Sequence, residues 1–136
     1  MGRSSPLVLV AACAAGLALV AGVASSGSAA RPGLYTKAQA AAGAKAYTAN
    51  CLRCHGAKLQ GVTAPALKGK DSPITGIRTV RDIYDYASTQ MPLDKPGSLS
   101  PATYASLVAY LLQQNGHPAG PRALTPDAAK RSTEKM

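Results

Sequence analysis

Residues 51–55 constrain the fold of this chain more than any other stretch, because Cys51, Cys54 and His55 lie within five positions of one another. On a helical turn these positions stand at i, i+3 and i+4, so both thiols and the imidazole lie on one face. Whatever the three side chains hold must therefore sit against that face. The rest of the chain must fold around it.

Three kinds of chemistry use such a cluster, and the sequence favours one of them. Tetrahedral zinc needs four ligands, usually including a second Cys or His pair, and outside this cluster only His117 remains among the histidines. A thioredoxin-like dithiol needs a strand and helix around it, which the flanking sequence does not offer. C-x-x-C-H is the attachment signature of c-type haem, in which the thiols add to two vinyl groups and the histidine binds iron. The motif predicts one covalently bound haem c.

The first 30 residues predict a secretory signal. Arg3 is followed by an apolar run of 18 residues from Leu7 to Ala24 and by small residues, with cleavage expected after Ala29 or Ala30. The run is also long enough for an uncleaved membrane anchor, and the residues before Cys13 resemble a lipoprotein cleavage box. In each case the remaining chain is exported, and we expect it in the periplasm, either free or anchored to the inner membrane. The exported domain then has two cysteines, which excludes a disulfide framework.

Three helices are predicted in the exported part. The first is an Ala-rich stretch from Thr36 to Asn50, with Thr36 as its cap. The second spans residues 79–89 and begins with a capping-box pattern formed by Thr79 and Asp82. The third has Ser100 as N-cap, Pro101 at its first position and an apolar stripe before Gly116. Stretches rich in Gly and Pro separate them, and no strand pattern is convincing.

We expect a cytochrome-sized domain over residues 31–120 and, because residues 121–136 are Pro-rich and charged, a disordered tail. The folded part is small and has no Phe or Trp. Domains of this size commonly depend on a cofactor, metal or disulfide for stability. A large apolar group is therefore expected at the centre.

A haem iron bound by His55 needs a second axial ligand, and Met91 is the strongest candidate. It is the only methionine between the signal and the tail, it precedes Pro92 in a nonhelical stretch, and it follows His55 by 36 positions. The alternatives are His117 as the ligand, or Met91 as an ordinary core residue. His/Met ligation raises the reduction potential and leaves no open site, which favours electron transfer over catalysis.

The order of the CxxCH motif, a downstream Met-Pro pair and an apolar C-terminal helix resembles the class I c-type cytochromes. The chain is most similar to small bacterial members that serve periplasmic dehydrogenases. The resemblance implies an all-α cytochrome c fold, with three to four helices and loops around one haem. It also implies six site residues: Cys51 and Cys54 as thioether cysteines, His55 and Met91 as axial ligands, Pro65 as hydrogen-bond acceptor of the histidine, and Leu67 packed on the haem.

The same resemblance implies four residues that join the first and last helices of the fold. Gly43 and Tyr47 match the small and aromatic positions of the N-terminal helix, and Leu107 and Tyr110 match their partners on the C-terminal helix. Glycine permits close approach of two backbones. We interpret these four as fold residues.

Charge and export limit the expected partners. Residues 31–136 hold 14 of the 15 basic residues and all six acidic ones, a balance that favours acidic partner surfaces such as a periplasmic dehydrogenase, a terminal oxidase or another cytochrome. Nucleic acid is not expected, and a membrane only if the N-terminal segment is uncleaved. We interpret the chain as an electron carrier and not an enzyme, either free or as the cytochrome subunit of a dehydrogenase complex. The alternatives are a peroxidase or gas-binding protein with a labile sixth ligand, and a zinc-stabilised binding module.

Overall fold

The computed structural model describes residues 1–2 and 32–136. In these residues the chain forms five helices and no strand: α1 (Lys37–Asn50), α2 (Leu52–His55), α3 (Val80–Gln90), α4 (Pro101–Gln114) and α5 (Pro126–Arg131). The predicted signal lies outside the described residues apart from Met1 and Gly2. No helix in the described part is long and apolar enough to cross a membrane. The predicted all-α fold is confirmed, with one helix more than expected.

The helix ends follow the predicted capping chemistry. The side-chain oxygen of Thr36 accepts the Gln39 N–H at 3.1 Å at the start of α1. Thr79 and Asp82 form a complete capping box at the start of α3, with the Thr79 N–H donating to the Asp82 carboxylate at 2.8 Å. The Ser100 side-chain oxygen accepts the Thr103 N–H at 3.1 Å at the start of α4. The three predicted helices are confirmed, because these side chains bond amides that a helix start leaves without partners.

Helices α1 and α4 form the main packing interface, and Gly43 lies at its closest point. A Cβ atom on Gly43 would lie 2.6 Å from the carbonyl carbon of Ser106 and 2.9 Å from the Cβ of Tyr110. Beside it the rings of Tyr47 and Tyr110 meet with centroids 5.3 Å apart. The structure buries Tyr47, Leu107 and the Gly43 backbone. The packing of α1 against α4 therefore depends on the absence of a side chain at Gly43 and on the aromatic contact of Tyr47.

The C-terminal tail is ordered, and the prediction that it is disordered is wrong. Thr125 caps α5, Pro126 occupies its first turn, and the side chains of Leu124 and Ala129 are buried. The Gln39 amide holds the Leu124 backbone at both ends, donating to its carbonyl at 2.7 Å and accepting its N–H at 2.8 Å. The composition of the tail suggested disorder. A few spaced apolar residues and one helix cap are nevertheless enough to order it, because they pack on the core formed by the other helices.

Candidate functional site

A cavity of about 1030 Å³ opens between helices α1 to α4 and the loops that join them. Its volume lies near the upper end of the roughly 300–1,000 Å³ typical of ligand pockets. The cavity brings together all six residues predicted from the sequence, which are Cys51, Cys54, His55, Pro65, Leu67 and Met91. These residues come from α2, from the loop after it and from the end of α3.

The imidazole of His55 is held through one nitrogen. Its Nδ1 lies 2.8 Å from the carbonyl oxygen of Pro65, the hydrogen bond implied by the family resemblance. A carbonyl only accepts, so Nδ1 carries the proton and Nε2 is left as the free nitrogen. The residue is 9% exposed. A buried histidine fixed in this tautomer is prepared to bind a metal through Nε2.

The two cysteines line the same cavity as free thiols. The Cys54 carbonyl accepts the N–H groups of Val62, Thr63 and Ala64 at 3.0, 3.2 and 3.1 Å, which folds the following loop back under the motif. Burial, and then the neighbouring Cys54, raise the pKa of the Cys51 thiol to about 11. Cys51 is therefore protonated at neutral pH, which does not suit the thiolate chemistry of a redox dithiol.

Met91 reaches the cavity from the C-cap of α3. Its carbonyl oxygen accepts two hydrogen bonds, from the Tyr104 hydroxyl at 2.7 Å and from the Gly97 N–H at 3.2 Å, and its own N–H donates to Ala87 at 3.1 Å. Sequence reasoning missed the role of Tyr104. The sequence indicated Tyr104 only as one residue of the apolar stripe on α4. In the structure Tyr104 is 2% exposed, and a hydroxyl buried in this way needs a hydrogen-bond partner.

Leu67 also depends on a residue that sequence reasoning missed. Its N–H donates to Leu59 at 2.8 Å, and its carbonyl accepts the Asn115 side-chain amide at 3.0 Å. Asn115 also donates to Leu111 at the end of α4. The C-cap of α4 thus holds the loop that places Leu67 against the cavity.

Three other interpretations of the motif were a zinc site, His117 as the iron ligand and a redox dithiol, and they find little support in the described part of the chain. No group of three or more potential metal ligands is present there. His117 lies beside a separate cavity of about 80 Å³, and its carbonyl accepts the Tyr35 hydroxyl at 2.7 Å. Cys51 and Cys54 form no disulfide.

The mouth of the cavity is apolar and basic. Arg53, Arg78 and Lys95 are exposed cations that line it, beside the acids Asp82 and Asp94. Apart from Met1, the exposed large apolar side chains of the described residues are all cavity-lining or next in sequence to a lining residue: Val62, Ile77, Tyr86 and Leu93. Exposed apolar groups gathered in one region mark a contact surface.

The donor set fits a covalently attached haem. One imidazole with a free nitrogen, two free thiols and a thioether line a cavity with apolar walls from Ile83, Leu107 and Leu111. Zinc would need further nitrogen or sulfur ligands in a much smaller space. The arrangement suits a large flat group with a metal at its centre.

Comparison with known proteins also indicates a domain that binds haem covalently. The model of the family described as cytochrome c oxidase, cbb3-type, subunit III matches residues 38–111. The crystal structure of the sulfane dehydrogenase SoxCD from Paracoccus pantotrophus is similar, with 28% identity, a TM-score of 0.56 and coverage of 74% of this chain. The chain spans about half of that protein chain, 54% of its length. Among curated proteins no match is found.

The fold and the cavity define a class I c-type cytochrome, an electron carrier with covalently bound haem c. The chain belongs to the family of cytochrome c oxidase, cbb3-type, subunit III, whose model covers more than half of it.

Proposed function

We propose that this cytochrome is an exported single-electron carrier whose haem iron is bound by His55 and Met91. The observation that supports this most strongly is that both side chains line one cavity while coming from different elements, α2 and the end of α3. The imidazole has its other nitrogen engaged by Pro65. When haem c is bound, His55 would hold its iron through Nε2 and Met91 through its thioether sulfur.

Cys51 and Cys54 are the proposed covalent attachment points. Each thiol would hold the haem through a thioether bond, in which S–H adds across a vinyl group with the sulfur on one carbon and the hydrogen on the other. Nothing is lost and no oxidant is required. Pro65 fixes the proximal imidazole, and Leu67 supplies apolar contact.

Bound haem c supplies one-electron chemistry, with the iron alternating between ferric and ferrous states. The chain would provide the two ligands and the apolar walls around the iron. A thioether ligand and apolar surroundings both favour the ferrous state and raise the reduction potential. With Met91 as the sixth ligand no iron position would be left for a substrate, so the peroxidase or gas-binding alternative requires a labile Met91.

We further propose a dehydrogenase as electron donor and an oxidase or another cytochrome as acceptor. The similar solved structure is that of a sulfane dehydrogenase, and the cationic and apolar mouth suits a partner with an acidic surface. The carrier is then free or a subunit of a dehydrogenase complex. A periplasmic location follows from the predicted signal over residues 1–30, with membrane contact only if that segment is retained.

We propose that the cytochrome domain begins near residue 31 and includes residues 121–136. The family match covers residues 38–111, and the packed α5 extends the folded unit beyond the predicted limit at residue 120.

Small redox probes of opposite charge test two properties together, electron transfer by the haem and the effect of the basic residues at the mouth of the cavity. Oxidation of the reduced protein by anionic ferricyanide should be fast and should slow as salt rises, because charges more than about 10 Å apart are screened at 0.1 M salt. Oxidation by a cationic cobalt(III) phenanthroline complex should accelerate with salt. Lys95→Glu should weaken both trends, whereas Lys45→Glu, an exposed control on α1 away from the cavity, should have less effect. Salt-independent rates with both probes would contradict the proposed docking surface.

A further inference from the structure

Three consecutive backbone carbonyls in the loop after α2 each accept a hydrogen bond from a different side chain. They belong to residues 65–67, which we call the acceptor segment. The pairs are Pro65 O with His55 Nδ1 (2.8 Å), Ala66 O with Ser72 Oγ (2.8 Å) and Leu67 O with Asn115 Nδ2 (3.0 Å). The carbonyl that holds the imidazole is therefore part of a stretch that two further side chains bind.

Ser72 binds the acceptor segment from within the same loop. Apart from tyrosines, His55 and Ser72 are the only polar side chains that the described part of the chain buries, and Ser72 is 3% exposed. Its hydroxyl donates to the Ala66 carbonyl and accepts the Ile74 N–H at 3.4 Å. Burying a hydroxyl costs free energy unless it is hydrogen-bonded. The loop therefore keeps this side chain inside only while the bond to the acceptor segment is made.

Asn115 joins the same loop to the end of α4. Its amide nitrogen donates to the carbonyls of Leu67 at 3.0 Å and Leu111 at 2.9 Å. Its amide oxygen accepts the Gly69 N–H at 3.4 Å and the Thr75 hydroxyl at 3.3 Å. One side chain at the C-cap of the core helix thus contacts the loop at three points.

The peptide groups of the acceptor segment cannot move independently of one another. Peptide planes are rigid, so turning the Pro65 carbonyl away from His55 must also turn the planes that follow it. The carbonyls of those next two planes are already bound, and the Leu67 N–H donates to the Leu59 carbonyl at 2.8 Å. The hydrogen bond to the imidazole is therefore held in place by contacts that lie beyond it.

We propose that Ser72 and Asn115 are positioning residues for His55, an inference that rests on the proposed haem site. They hold the Pro65 carbonyl against Nδ1, although neither side chain lines the cavity. A hydrogen bond donated by Nδ1–H makes the other ring nitrogen more basic, and second-shell contacts of this kind tune a bound metal. A more basic nitrogen stabilises ferric iron over ferrous iron. The two residues thus lower the reduction potential from outside the cavity.

Hydrogen exchange and the reduction potential of the purified holoprotein test this inference in Ser72→Ala and Asn115→Leu. In the ferrous protein, exchange of the His55 Nδ1–H, followed by NMR, should accelerate about fivefold, the factor that one lost hydrogen bond gives. This rate is measured relative to that of the Val108 N–H, which belongs to a fully buried residue of α4. The ferrous-to-ferric ratio at fixed ambient potential should rise several-fold. Opening the cavity to water would lower that ratio instead, so the sign separates the two effects.

Three results would overturn the proposal: equal acceleration of the Nδ1–H and the Val108 N–H, an unchanged ferrous-to-ferric ratio, or a lower one. Ser88→Ala is the control for the serine, because the Ser88 hydroxyl also donates to a backbone carbonyl, that of Asp85 at 3.2 Å. Gln113→Leu, at an exposed position in the last turn of α4, is the control for the amide. Both controls should leave the exchange rate and the ratio unchanged.

Two further points keep the test decisive. Asn115 is also the C-cap of α4, so if Asn115→Leu fails to fold, Ser72→Ala decides, since it removes a single oxygen atom. Pyridine treatment of the wild-type protein is carried out first. Absence of covalent haem would refute the proposed function and this inference with it, whereas covalent haem with unchanged exchange and potential would refute only the positioning role.

Discussion

The hydroxyl of Tyr104 donates a 2.7 Å hydrogen bond to the carbonyl oxygen of Met91. The same hydroxyl accepts the Leu99 N–H at 3.3 Å, so one buried side chain on α4 holds both ends of the loop that carries the proposed ligand. The backbone position of the thioether is thus fixed from the last core helix. The strength of the proposed bond between Met91 and the iron should therefore depend on Tyr104.

Tyr104→Phe should loosen Met91 without removing it. Loss of the hydrogen bond costs about 1 kcal/mol, which corresponds to roughly fivefold tighter binding of a competing ligand at the iron. Spectrophotometric titration of the ferric protein with imidazole measures this. Tyr84→Phe is the matched control, because Tyr84 is equally buried but its hydroxyl donates to Pro101 at 3.3 Å. Equal imidazole affinity in Tyr104→Phe and wild type would show that this contact does not hold the ligand.

Gly43→Ala should destabilise the protein even though alanine is the better helix former. A Cβ at this position would collide with the Ser106 carbonyl group, and the backbone of α4 must move to accommodate it. We expect a loss of about 1–3 kcal/mol in the free energy of unfolding, measured by urea denaturation. The exposed control Ala41→Gly should lose about 1 kcal/mol through helix propensity alone. A gain in stability for Gly43→Ala would mean that the two helices are not in close contact.

The capping box of α3 should make stability depend on pH. The Thr79 backbone N–H, followed by the Thr79 side chain, lowers the pKa of Asp82 below its usual value of 3.8. A lowered folded-state pKa adds stability that is present above the unfolded value and is lost as the pH falls through the folded one. The difference in unfolding free energy between wild type and Asp82→Asn should therefore be constant from about pH 7 to 5 and shrink below about pH 4.

Asp85→Asn is the control for this pH dependence. Asp85 lies exposed on the same helix, and its carboxylate makes no hydrogen bond in the described part of the chain. A difference for Asp82→Asn that stayed constant down to pH 2 would contradict the ionic role of the box.

Local signals in the sequence predicted the main helices because their chemistry is local. Thr36, Thr79 and Ser100 each cap a helix with an amide three residues away, and such contacts need no knowledge of the rest of the fold. The spacing of Cys51, Cys54 and His55 predicts the attachment motif, while the choice of haem over zinc or a dithiol also used the lack of further ligands and the flanking sequence. Met91 was predicted as the second iron ligand by elimination, since it is the only methionine between the predicted signal and the tail.

The long-range contacts could not be read in this way. Tyr104 meets the Met91 carbonyl across 13 positions, and Asn115 meets Leu67 across 48. The tail was misjudged for the same reason: its composition is polar, but Leu124 and Met136 find burial on surfaces made by distant parts of the chain. Contacts of this kind depend on where the helices come together, which composition and periodicity do not specify.

The optical spectrum of the ferric protein, compared with that of Met91→Ala, tests the central claim most directly. His/Met ligation predicts a low-spin spectrum with a weak band at the red end of the visible range, typical of sulfur bound to ferric iron. The band should be absent in Met91→Ala, while covalent haem is retained under pyridine and alkali in both proteins. A high-spin spectrum in the wild-type protein, or a band that survives the substitution, would contradict an electron carrier ligated by His55 and Met91.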